Sequence, residues 1–229
     1  TTKEETCIHA SFLSTYYPKA IDLFADILFN STFPEKEITK EKDVVLDEIN
    51  SYKDSPSELI FDEFEEMLFS GHPLGRSVLG SPASVRKISR KKIISFLGNH
   101  YNTDQLVISS VGNIDFNRLV KLITASFGPI ATNLRTNVRV EFSPLPPKQM
   151  VQSKRVFQTH CIIGNLAFSY TDSRRTALAL LTNLLGGPAM NSRLSMALRE
   201  RHGLSYNIEA VYTPYAETGS FMVYLGIDN

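Results

Sequence analysis

Neither sign of charge predominates in this 229-residue chain: Lys plus Arg and Asp plus Glu both number 24. With no long single-sign block, it lacks the electrostatic footprint of a nucleic-acid binder or of a protein held on an anionic membrane. Long hydrophobic runs are missing too, and no stretch approaches the ~18 apolar residues of a membrane span. The opening TTKEETCIHA has neither the basic nor the apolar region of a secretory leader and no initiator methionine, so the gene is expected to start upstream of Thr1. Cysteine is scarce. Cys7 and Cys161 lie far apart in apolar, strand-like contexts, which speaks against a disulfide framework or a metal knuckle and reads as two buried thiols. That pair leaves the redox compartment open.

What is present is ordinary globular material: 42% hydrophobic and 21% charged residues, enough for one large or two modest domains with a real core. Thr6 to Leu13, TCIHASFL, reads as a strand. Residues 20–29, AIDLFADILF, place Ile21, Phe24, Ile27 and Leu28 at helical spacing. A second helix is predicted from about Ile38 to Ser51, and Pro56 opens a third, since proline suits a first turn. Gly71 to Pro82, GHPLGRSVLGSP, is a loop by its glycines and prolines, expected to pack structurally. Ser89 is placed to cap RKKIISFLGNHY, QLVISSVGN reads as a buried strand, and Asp115 caps FNRLVKLITASFG, closed by Gly128. Residues 129–154 carry prolines and little periodicity, the signature of a linker.

After the linker the pattern restarts, with CIIGNLAFSY as a strand, RTALALLTNLL as a helix, GGP as a break and NSRLSMALRER as a helix. Two more strands follow, YNIEAVY and GSFMVYLGI, joined by TPYAET. The apolar density of the last strand matches that of the first, a hint of duplication.

One stretch raises a chemical question. In VVLDEINSYKDSP, Glu48 follows Glu41 by seven residues, close to two helical turns, so both carboxylates project from nearly one side. By residue pattern alone this is a solvated helix face. Its surroundings point elsewhere. TTKEETC, then AIDLFADILFNSTFPEKEITKEKDVVLDEI, SGHPLGRSVLGSPASV, NHYNTDQLVISSVGNID and LLGGPAMNSRLSMALRERHGLSYNI together resemble the zinc metallopeptidases of the pitrilysin, insulinase and mitochondrial processing peptidase family. The likeness runs over nearly the whole chain in ordered blocks.

The resemblance implies an α+β fold of two homologous α/β halves, with mixed, mainly antiparallel sheets packed against helices and both halves incomplete here. Residues 1–130 would be the remainder of the first, zinc-bearing half, 131–155 the linker, and 156–229 the start of the second, substrate-contacting half. It implies zinc held by two histidines of an HxxEH motif and a later glutamate, which matches Glu48, with Glu41 as the supporting carboxylate behind it. Two imidazoles and a carboxylate leave a fourth position for water, acidified toward a pKa of ~7. Arg199 and Tyr206 match the family's pair that reaches the substrate, donors suited to a developing oxyanion. Without the resemblance they read as a surface arginine and a core tyrosine. Thr1, Thr2 and Thr6 belong to the candidate edge strand for an extended peptide substrate, with an interior strand as the alternative reading.

One departure governs the rest. The five histidines, His9, His72, His100, His160 and His202, include no two that are four apart, so HxxEH is absent and is expected a few dozen residues before Thr1. Two readings follow. Either the chain is an internal piece of an active zinc endopeptidase acting on peptides or unfolded segments, or it comes from a non-catalytic subunit or interaction module paired with an active one. The retention of Glu41, Glu48, Arg199 and Tyr206 together favours the first. The piece alone is expected to be inactive and to bind no zinc tightly, because one carboxylate does not make a tight site. Expected partners are a peptide substrate, the N-terminal segment of the same chain, and a homodimer mate or paired subunit.

Overall fold

The computed structural model of the protein describes residues 1–228. Two compact units divide the chain, residues 1–45 with 82–139, and residues 46–81 with 140–229.

The first unit is helical. Helix α1, Tyr17–Phe29, starts on a proline in its first turn and buries Tyr17, Ile21 and Ala25, the i, i+4, i+8 stripe of an amphipathic helix. That stripe is what its apolar spacing encodes. Helix α2, Glu35–Lys53, begins in this unit, with Ile38 buried. Three further helices follow: α4, Pro82–Arg86, α5, Arg90–His100, and α6, Phe116–Phe127. (Helix α3, Pro56–Leu68, belongs to the second unit.) The Ser89 hydroxyl accepts the Lys92 N–H, and the Asp115 carboxylate accepts that of Arg118 at 2.9 Å, so both predicted N-caps form. Helix α6 packs on α1, with Phe29 and Phe127 edge to face at 6.2 Å. Past the last helix, Asn133 and Asn137 donate to the carbonyls of Gly98 and Asn99, pinning extended chain to the end of α5.

Two expected strands do not form. TCIHASFL and QLVISSVGN join no ladder among the described residues, and Val107 and Val111 are 85% and 101% exposed. Apolar alternation makes a segment fit for a sheet, but only a pairing strand makes it one. Their anchors here are side chains: Tyr17 Oη lies 3.0 Å from Ser110 Oγ, and Phe12 meets the Tyr17 ring edge to face. For the same reason Cys7 is exposed rather than buried, while Cys161 is half-buried; both are free thiols.

The second unit holds an antiparallel sheet of β1, Gln158–Ala167, β2, Asn207–Pro214, and β3, Gly219–Asp228, in the order β1-β3-β2. The central strand β3 pairs Gly226 with both His160 and Asn207. The Tyr215 N–H donates to the Thr218 carbonyl at 2.8 Å, closing the TPYAET hairpin. Met222 and Tyr224 are buried at alternate positions of β3, the period of two that a strand imposes. Helix α3 packs on β1, with Phe61 5.2 Å from the Tyr224 ring. Gly164 of β1 is needed at this contact, because a Cβ there would lie 2.6 Å from Phe64 Cζ and 2.4 Å from the Phe221 carbonyl oxygen.

A second cluster joins Phe69, which is 0% exposed, to Leu74 and Tyr215, with Leu68, Phe142 and Leu166 against it. The GHPLG loop therefore has the structural role expected of it. The Leu74 N–H donates to His72 Nδ1, and His72 Nε2 bonds the Val140 carbonyl at 3.0 Å, so the imidazole staples the loop. Helix α7, Arg175–Gly186, packs on β2, where a Cβ at Gly186 would come within 2.7 Å of the Ala210 nitrogen. The following helix differs from expectation: Ser195–Arg201 is a π-helix, wider than α. Residues 131–157 contain neither helix nor strand.

Candidate functional site

Glu41 and Glu48 both lie on α2, which is helical without interruption across them, so the two-turn spacing read from the sequence is realised. Both are exposed. Among the described residues no three His, Cys, Asp or Glu side chains are placed to hold a metal ion. The donors present therefore do not by themselves fit zinc, which takes four ligands and keeps three from the protein even in catalytic sites.

Arg199 and Tyr206 are brought together. The Arg199 guanidinium carbon lies 5.9 Å from the Tyr206 ring centroid, within cation–π range. Arg199 Nε also stands 3.5 Å from the Glu200 carboxylate. The core position that the bare sequence offered for Tyr206 is not where it sits: its side chain is 70% exposed. No hydrogen bond or ion pair among the described residues joins either side chain to Glu48.

The pair is set by the chain around it. The π-helix delivers Arg199; Gly203, at φ +62°, then turns the chain out of it. The Gly203 N–H donates to the Arg199 carbonyl and the Leu204 N–H to that of Leu198, a glycine-closed helix end. Ser205, buried at 4% exposure, donates its hydroxyl to the Gly226 carbonyl at 2.6 Å and approaches that of Asn207 at 3.1 Å. The glycine after RERH was a readable helix-stop signal. Ser205 carried none, because its partner stands 21 residues away.

Thr1, Thr2 and Thr6 lie in a segment that is not a strand here. The Thr2 hydroxyl accepts from the N–H groups of Glu4 and Glu5, at 3.3 and 3.2 Å, and the Thr2 N–H donates to the Glu5 carbonyl. A turn thus stands where an edge strand was expected from Thr1 to Cys7.

Perturbed titration lies in the second unit, at Tyr224 and Asp172. Tyr224 is raised above its ordinary value by burial and then by the Glu209 carboxylate, and its hydroxyl meets His160 Nδ1 at 2.8 Å. Asp172 is lowered to about 2 by hydrogen bonds from the side chain and backbone N–H of Arg174.

Comparison with known proteins places these features in a family. The profile of the insulinase family, peptidase family M16, matches residues 1–82, and that of the peptidase M16 inactive domain matches residues 87–229. The chain belongs to the M16 metallopeptidase family. It is 32% identical over 234 residues to an uncharacterized zinc protease of Streptomyces coelicolor, covering 99% of this chain and 50% of that one. An uncharacterized zinc protease of Mycobacterium tuberculosis is 34% identical over 232 residues, covering 98% of this chain and 52% of its own length. The chain thus spans about half the length of the relatives it matches. Among solved structures, a peptidase M16 inactive domain from Pseudomonas fluorescens superposes with a TM-score of 0.83 at 24% identity, covering 91% of this chain and 51% of that one. A Helicobacter pylori protease gives 0.84 at 20% identity, covering 95% and 54%. These likenesses establish the α+β fold.

Proposed function

We propose that the chain is part of a zinc-dependent endopeptidase that hydrolyses peptides or unfolded protein segments. Residues 1–130 belong to its metal-bearing half, 131–155 to a linker and 156–229 to its substrate-contacting half. The observation that carries this reading is the pairing of Arg199 with Tyr206 in a chain whose family relatives are named zinc proteases. The half-buried Arg199 guanidinium stands over the exposed Tyr206 ring, and both side chains are donors of the kind that stabilise a tetrahedral oxyanion. In this reading Glu48 supplies one carboxylate to the metal and Glu41 steadies it, the imidazoles coming from outside residues 1–228. Zinc bound there would acidify water. In this reading Glu48 without an imidazole partner does not make a tight zinc site, and the 229-residue chain alone is expected to be inactive.

The match of residues 87–229 to an inactive-domain profile favours a second reading, in which the protein is a non-catalytic subunit or interaction module paired with an active peptidase. Glu48→Gln in the full-length protein separates the two. The endopeptidase reading expects loss of bound zinc and of peptide hydrolysis; unchanged zinc content and activity would reject it.

A further inference from the structure

Resting on the assignment of Arg199 and Tyr206 to the oxyanion, we propose that Ser205 is the positioning residue for that pair. Its hydroxyl clamps the turn between the π-helix and β2 onto the central strand.

Tyr206 follows Arg199 by seven positions, and the chain must reverse between them. At the helix end, the bonds from Gly203 to Arg199 and from Leu204 to Leu198 hold the turn. Gly203 sits in the left-handed region that favours glycine, and a Cβ there would meet nothing within 4 Å, so its requirement is conformational rather than steric. That fixes one side only. Regular pairing with β3 begins at Asn207, one residue after Tyr206, so the ladder does not hold the tyrosine itself.

Ser205 fills that gap. Its hydroxyl reaches Gly226, the β3 residue that Asn207 faces, and so adds a side-chain rung just before the ladder starts. The bond is short, at 2.6 Å, and buried, where water does not compete for the donor. Tyr206 is consequently held between a buried side-chain hydrogen bond at Ser205 and the first ladder pair at Asn207, while its ring stays exposed, under the guanidinium that the π-helix presents. An exposed pair of flexible side chains would otherwise sample many separations, and the rate advantage of a donor pair depends on holding it to within about 1 Å. Ser205 touches no substrate in this account; it acts through Tyr206.

The test uses the full-length protein with a quenched-fluorescent peptide library as substrate, together with a crystal structure of the Ser205→Ala variant. Expected is a fall in kcat of about tenfold with KM held within about twofold, restoration by Ser205→Thr, which keeps the hydroxyl, and an Arg199 to Tyr206 separation clearly wider than in the parent. A kcat within about twofold of the parent, while Arg199→Ala and Tyr206→Phe do lose activity, would overturn the positioning role and leave the oxyanion assignment standing. If Arg199→Ala and Tyr206→Phe keep full activity, the oxyanion assignment fails instead. The crystal structure then decides for Ser205: a widened pair supports the clamp, and an unchanged pair overturns it.

Discussion

The two units contain apolar, alternating segments of equal quality, yet only one of them builds a sheet. Residues 158–228 hold three such segments, β1 set apart from the β2–β3 hairpin by two helices, and each finds a partner along its full length. In the other unit TCIHASFL and QLVISSVGN stand more than 90 residues apart, and neither is paired among the described residues. The lesson is about what a strand is. Helices satisfy their own backbone and so appear wherever the local pattern asks for them; strands borrow their hydrogen bonds and appear only where a neighbour lends them.

This contrast can be pressed by substitution. The largest effect is expected at Phe69, fully buried in the second unit, where Phe69→Ala should cost about 3–5 kcal/mol in denaturant unfolding. Next comes the helix–sheet contact: Gly186→Ala forces a Cβ against the Ala210 backbone and should cost about 1–3 kcal/mol by the same measurement. In the helical unit, Asp115→Ala removes the cap of α6 at a cost of about 1 kcal/mol, visible as a shift in Tm. Val111→Ala, in the unpaired segment, should change stability by less than about 0.5 kcal/mol; a cost like that of Phe69 would mean the segment is buried in solution after all.

The smallest effect is a pH dependence. Arg174 holds Asp172 at about 2 in the folded chain, below the ordinary 3.8, so the folded state favours its ionised form. The stability it contributes is present above about 3.8 and is lost as pH falls toward about 2. The pair is exposed and easily screened by salt. Asp172→Asn should therefore lower stability slightly at neutral pH and flatten the acid limb of a stability-against-pH curve, with no difference from the parent below about pH 2.

Legibility followed the same division. Helices α1, α2, α3, α5, α6 and α7 were readable from period and punctuation, and the capping roles of Ser89 and Asp115 from residue type alone. The three formed strands were readable as well, because their partners lie in the same stretch of chain. Missed were the failures of pairing, which depend on what else is present, and the π-helix, whose sequence NSRLSMALRER is as suited to an α-helix. Of the candidate site, the helical spacing of Glu41 and Glu48 could be read directly. That Arg199 and Tyr206 meet could be inferred only from family likeness, since no periodicity crosses the turn at Gly203. Ser205 has no local sequence signal: its hydrogen bond exists only through Gly226 of β3.

On the proposed reading, Glu48 is one ligand of a zinc site whose imidazoles lie outside residues 1–228. Zinc content measured by elemental analysis on the full-length protein and on residues 1–229, purified side by side, tests it most directly. Expected are about one zinc per full-length chain, removed by Glu48→Gln, and no retained zinc in the shorter chain. Stoichiometric zinc in residues 1–229, with peptide hydrolysis to match, would contradict it.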